Sequence, residues 1–231
     1  MLQNIKLFYG TKLAAVDGEI GHTKDFYFDD QSWVIRYLVA DTGSWLPGRQ
    51  VLISPHAFAV LDKYDKTFNL KLRKKQIEGC PPIERHKPVS RQYETEYYRY
   101  YGWPAYWNGD ALWGPAGYPL VLPPTRAEIE DQVKHHHRDD KHLQSTQAVT
   151  GYAIQAMDGT LGTVADFMID DRSWAIRELV VEAGHWYSGK EILVATSKID
   201  RISYAESKVY VHLTKADLQR TKENDLVRAG A

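Results

Sequence analysis

Residues Phe28–Val39 read FDDQSWVIRYLV, and residues Ile169–Val180 read IDDRSWAIRELV. Two acids, a polar pair and a tryptophan leading an apolar run thus occur twice, 141 residues apart. Shifting the chain by that offset aligns far more than this stretch. Gly10 meets Gly151, Asp17–Gly18 meets Asp158–Gly159, Gly21 meets Gly162, and Asp25–Phe26 meets Asp166–Phe167. Further on, Gly43, Trp45 and Gly48 meet Gly184, Trp186 and Gly189, and the register runs ungapped to Lys74 and Lys215. A period this long marks two duplicated folding units rather than a solenoid of short repeats.

Each copy reads as β-structure. LAAVDGEIG alternates around Asp17–Gly18, a signal for a tight hairpin in which glycine supplies a positive φ. A strand over about Ile20–Phe28 follows, then the corner DDQS, then a strand from Trp33 to about Ala40. Short Asp and Ser side chains suit such a corner because they bond nearby backbone N–H groups. Gln50–Ile53, Phe58–Leu61 and Thr67–Leu72 complete six short strands, and the second copy repeats the order. The strand from Trp33 is apolar on both faces. Trp33, Ile35, Tyr37 and Val39 share one side, and Val34, Leu38 and Ala40 share the other with Arg36. A strand buried on one face alone would alternate more cleanly. One face therefore fills its own unit, and the other meets the second unit or another chain.

The elements D-G-x-x-G, D-D-x-S-W, I-R-x-L-V and W-x-x-G-[KR], present in both halves, resemble the PRC-barrel family. That family takes its name from the barrel in the H subunit of the purple bacterial photosynthetic reaction centre, and it includes the C-terminal domain of a ribosome-maturation factor. The resemblance implies an all-β fold of two tandem six-stranded β-barrels. They would occupy residues 1–78 and 142–231, joined by an aromatic- and Pro-rich connector with short helices at 79–141. It also implies a role in protein assembly without a shared catalytic centre. A component resembling the reaction-centre H subunit is a further reading that rests on the family name alone.

Composition narrows the classes. The net charge is −1, with 29 basic and 30 acidic residues, so the chain lacks the basic footprint of phosphate binding and no nucleic-acid partner is expected. Cys80 is the single cysteine, which excludes an internal disulfide. No apolar run approaches the roughly 20 residues of a membrane helix, and the stretch MLQNIKLFYGTK lacks the apolar core of a signal peptide. A cytoplasmic protein without direct membrane insertion is expected.

The connector holds eight of the ten prolines and, within 93–118, ten aromatic residues. Disordered linkers are poor in aromatics, so this one is expected to dock. Ser90 caps a helix through Tyr101, ended by Gly102 and Pro104. On that helix Tyr93, Tyr97, Tyr100 and Tyr101 share a side while Arg91, Glu94 and Arg99 face water. The cluster, which includes Trp103 and Trp107, packs on the protein itself, anchors a partner, or stacks a ligand. A second helix begins at Thr125 and ends in the His-rich stretch His135, His136, His137 and His142.

Candidate chemistry is sparse. Adjacent histidines on a helix point about 100° apart, so the three cannot all meet one ion, whereas His135 and Asp139, four residues apart, could. The His-rich helix, or the acidic corners Asp29–Asp30 and Asp170–Asp171, would carry the rival reading of an ion-binding protein or an enzyme. Turn capping is the expected role of those corners, and of Asp17 and Asp158, with Gly18, Gly21, Gly159 and Gly162 permitting the turns. Arg36 and Arg177 are expected to pair with Asp25 and Asp166. Trp33, Ile35, Trp174 and Ile176 shape the barrels or their interface, and Trp45 and Trp186 brace the loop before the fourth strand. No phosphate loop, dinucleotide fingerprint or serine elbow is present. The sequence therefore points to a non-catalytic adaptor without cofactor or resident metal, whose partner is another protein or a second copy of itself.

Overall fold

The computed structural model describes residues 1–47, 49–59, 67–81, 89–121, 143–184 and 190–217. The chain is mostly β, with two mixed sheets and a few short helices. It divides into two compact units that interleave in sequence. Unit 1 comprises Met1, Leu7–Ser145 and Asp170–Ala175, and unit 2 comprises Leu2–Lys6, Thr146–Ile169 and Ile176–Ala231.

The first strand, β1 (Leu2–Asn4), belongs to unit 2. Unit 1 contains β2 (Lys12–Ala15), β3 (Gly18–Asp29), β4 (Val34–Asp41), β5 (Gln50–Ile53), β6 (Thr67–Asn69) and β7 (Leu143–Ser145). Its sheet order is β5-β4-β3-β2-β6, with β7 pairing β3 off that path. The ladders are antiparallel except β2–β6, which is parallel. Unit 2 contains β8 (Ala153–Ala156), β9 (Gly159–Asp170), β10 (Ile176–Ala183), β11 (Glu191–Ala195), β12 (Ile199–Ser203) and β13 (Lys208–Val211). Its order is β11-β10-β9-β8-β13-β12, with β1 pairing β9 off that path. Among the described residues neither ladder closes on itself. The observed architecture is two open mixed sheets, where closed barrels were the finer expectation.

The duplication extends to the irregularities. In unit 1, extra residues fall at Ile20, Lys24 and Arg36, where the register jumps. In unit 2 they fall at Leu161, Ala165 and Arg177, the matching positions. A β-bulge bends its strand and sharpens the local twist, so the two on each 12-residue strand help it pass from one hairpin partner to the next. Asp25 and Asp166 sit beside the second bulge. Each accepts the N–H of the following phenylalanine, Phe26 at 2.7 Å and Phe167 at 2.8 Å. This explains the repeated Asp-Phe pair.

The repeated glycine after the hairpin is there for backbone contact. A Cβ on Gly21 would lie 2.0 Å from the carbonyl oxygen of Asp41, and one on Gly162 would lie 2.0 Å from that of Glu182. Only glycine permits the approach. Preceding it, Asp17 and Asp158 each accept a backbone N–H 57 residues on, from Lys74 at 2.8 Å and Lys215 at 3.0 Å. The hairpin turn is thus tied to the end of its own repeat.

The tryptophan after the corner is not the first strand residue. Trp33 and Trp174 have φ of 56° and 57°, in the left-handed region. The regular strands β4 and β10 start later, at Val34 and Ile176. Asp29 Oδ1 accepts the N–H groups of Gln31 and Ser32, at 2.9 and 3.0 Å, and Asp170 Oδ1 accepts that of Arg172 at 2.9 Å. The tryptophan N–H closes each corner on the carbonyl of Asp29 or Asp170, at 2.8 Å in both. In unit 1 the Trp174 ring sits among Phe8, Phe26, Phe58 and Phe68, with centroids 4.8–6.4 Å away.

Candidate functional site

The face of β4 turned away from the aromatic core of unit 1 carries the densest polar chemistry in the described residues. The connector covers it. Helix α1 (Lys74–Glu78) leads out of the sheet, and α2 (Arg91–Tyr101) lies on β4 and β5. Ser90 Oγ accepts the Tyr93 N–H at 3.2 Å, and Gly102 ends α2 with φ 68°. The helix arises from strong capping at both ends rather than from propensity, since tyrosines are only middling helix formers.

Its buried side differs from the one expected. Glu94, Tyr97 and Tyr98 are fully buried, while Tyr100 is exposed. Glu94 does not face water. Its Oε1 accepts hydrogen bonds from the hydroxyls of Tyr37, at 3.0 Å, and Tyr106, at 2.8 Å. Its Oε2 lies 3.1 Å from Arg91 Nη1, which also donates to the Tyr106 hydroxyl at 3.0 Å. A buried carboxylate persists only when paired and hydrogen-bonded; α2 supplies the pairing through Arg91, and β4 and the segment after α2 supply the hydrogen bonds.

Arg36 occupies the third bulge of unit 1 and is 2% exposed. The bulge lets Arg36 and Tyr37, neighbours in sequence, both reach the connector. Nη1 donates to the carbonyl of Leu112 at 2.6 Å, and Nη2 donates to Ser32 Oγ at 3.0 Å. The guanidinium lies 3.7 Å from the Tyr106 ring centroid and 4.9 Å from that of Trp113. Its ion-pair partner is Asp29 at 3.7 Å, a correction to the expected Asp25. Asp25 is engaged instead by Phe26 and by the hydroxyl of Ser145. Arg177 also departs from the reading as a half-buried strand arginine, because it is exposed. Asp166 accepts from the Lys6 and Phe167 N–H groups, at 3.2 and 2.8 Å.

His56, which the sequence reading passed over, lies in a short 3-10 turn after β5. Its ring stacks on Trp103 at 5.4 Å and meets Trp113 and Tyr98 edge-on. Nδ1 is 3.0 Å from Ser54 Oγ, while Nε2 has no partner among the described residues. Burial, then the charges of Arg36 and Lys71, lower its pKa to about 3. The imidazole is neutral at physiological pH. Burial likewise raises the hydroxyl pKa values of Tyr37, Tyr97, Tyr98 and Tyr106. The cluster therefore holds neutral rings around two arginine–carboxylate pairs.

Tyr97 clamps the edge of the sheet. Its hydroxyl donates to the carbonyl of Leu52 and accepts the N–H of Ser54, both at 3.0 Å. Arg49 fastens the end of α1 by donating to the carbonyls of Glu78, at 2.6 Å, and Cys80. The hydroxyls of Tyr100 and Tyr101 donate to the carbonyl of Gln76, and that of Tyr93 to the carbonyl of Pro81. Cys80 is buried, and burial raises its thiol pKa despite the opposing charge of Arg49. Such a thiol has little thiolate for nucleophilic chemistry.

Of the other residues singled out by sequence, Tyr97 and Trp103 are buried in this cluster, and Tyr101 and Trp107 are half-buried at its rim. Trp33 stacks on Phe28 at 5.5 Å. Ile35 and Ile176 are core residues. Trp45 is half-buried, with the Lys74 ammonium 5.6 Å from its ring centroid. Near it an open groove passes Glu19, Gly21, His22, Asp41 and Thr42. Trp186 and the histidines at 135–137 and 142 lie outside the described residues, as does the helix read from Thr125. Among the described residues no group of three or more His, Cys, Asp or Glu is placed to hold a metal ion. Also among them, no helix is long and apolar enough to cross a membrane.

The same face in unit 2 is dressed differently. Leu193 is the counterpart of Leu52, yet Leu52 is 1% exposed and Leu193 is 52% exposed. Arg177, Glu182 and Glu191 are exposed on β10 and β11, where the corresponding part of unit 1 lies under α2. No model of a known protein family matches the chain, and no curated protein matches it.

Proposed function

We propose that the protein is a non-catalytic assembly module built from two PRC-type domains. In this reading unit 1 is completed by the chain's own connector, and unit 2 offers the equivalent sheet face to another protein. The observation that carries it is the contrast between Leu52 and Leu193, one shape-determining position with two fates. The covering of unit 1 indicates the kind of occupant: a capped helix whose Tyr97 bonds the edge strand, followed by a segment whose Tyr106 and Trp113 stack on the strand arginine. Arg177 stands at the position equivalent to Arg36, whose guanidinium packs on the Tyr106 ring. The mixed charges of Glu182, Glu191 and Arg177 favour a polar-rimmed, aromatic-centred interface of ordinary size.

The test places a photo-crosslinking amino acid at position 193 and, as a control, at the still more exposed Met157. A discrete adduct from position 193 in extract of the native host, absent from position 157, supports the reading. Equal labelling from both positions overturns it. A kinetic screen for turnover adds nothing to this experiment, because the proposal concerns a surface.

A further inference from the structure

The first repeat does not supply the ring that fills its own aromatic core. In unit 1 that ring is Trp174, 4.8 Å from Phe58 and 6.1 Å from Phe68 by centroid. The homologous Trp33 lies on Phe28 instead. The corner that carries Trp174 is also held by its backbone. Ile35 N–H donates to the Trp174 carbonyl at 2.8 Å, Val34 bridges Ala175, and the Trp113 indole donates to the Ser173 carbonyl at 2.7 Å. Strand β7, also from the second repeat, pairs with β3 from Tyr27 to Asp29. The exchange is mutual, since β1 of the first repeat joins the sheet of unit 2.

We infer that the phenylalanine cradle of unit 1 is a binding site for the Asp-Asp-x-Ser-Trp corner and its leading strand, and that a second copy of this chain can supply both in trans. Every contact made here, through backbone groups, the Trp174 indole and the Ser145 hydroxyl on Asp25, is one that any copy of this sequence can make, so nothing in it distinguishes a corner from the same chain from that of another. Only the tether decides. Between Val121 and Leu143 run 21 residues, and a covalent link makes the meeting of corner and cradle intramolecular, at an effective concentration set by its length. The tethered corner wins in dilute protein, and shortening the tether hands the site to a second copy, as in other exchanges of identical elements. This site is independent of the exposed face of unit 2.

The experiment deletes residues 126–137 from the full chain and measures mass by light scattering after size exclusion. The expected product is a folded dimer, with the intact chain monomeric under the same conditions. Adding Leu193→Asp leaves this dimer whole. A folded monomer overturns the inference, and so does a dimer that Leu193→Asp dissociates. Should the shortened chain not fold, two full-length chains of different isotopic mass are refolded together at high concentration. Mixed-mass dimers support the exchange, and refolding to monomers alone overturns it.

Discussion

His56 shows how one buried ring ties stability to acidity. Its folded pKa is about 3, against an ordinary 6.5. The unfolded chain therefore binds the extra proton between those values, and stability is full above pH 6.5 and lost as pH falls toward 3. At 1.36 kcal/mol per unit, about 2 kcal/mol is lost between pH 8 and pH 5 from this residue. His56→Phe should flatten that limb in a series of denaturant melts, and an unchanged slope would count against the assignment. Two glycines separate crowding from conformation. Gly10 has φ 71° with open space around it, so Gly10→Ala should cost about 1 kcal/mol. Gly21→Ala drives a Cβ onto a carbonyl and should cost at least about 3 kcal/mol. The repeated spacing made Gly21 visible in the sequence, but not its reason, which lies on a strand 20 residues away. Glu94 was misread for a related cause. A glutamate on a helix defaults to solvent, and its two phenolic donors come from separate segments.

At the level of elements, α2 was legible from Ser90 to Gly102 because capping is a local code. Its buried side was not, because five tyrosines on one short helix leave the stripe ambiguous. Tyr98 faces inward and Tyr100 outward, a rotation that the contacts with Tyr37 and Tyr106 decide. Ser90→Ala should cost about 1 kcal/mol. Tyr97→Phe keeps the ring and strips both edge-strand hydrogen bonds, so a loss of about 1–3 kcal/mol is expected in thermal unfolding. The bulges were invisible in sequence, since an extra residue exists only relative to a partner strand. The strand boundary at Trp33 failed for the same kind of reason. A tryptophan before an apolar run reads as the run's first member, and its left-handed backbone is imposed by the Asp29 corner.

For the molecule as a whole, the ungapped 141-residue register announced two units of similar design, and both sheets carry the same strand order through five members. Which repeat supplies which strand was beyond its reach, because β1 and β7 are three residues each and pair mainly through backbone groups. The contrast between the units yields a paired prediction. Leu193→Asp should shift stability by no more than about 0.5 kcal/mol, whereas Leu52→Asp buries an unpaired charge and should abolish the cooperative melt. The seating of β1 also sets a timetable. Some 155 residues separate Asn4 from the start of β9 at Gly159, and synthesis proceeds at about 5–20 residues per second. Leu2–Asn4 therefore wait roughly 8–30 s for the partner strand to leave the ribosome. Through that interval an unpaired strand and an unplugged cradle are open to any chaperone within reach.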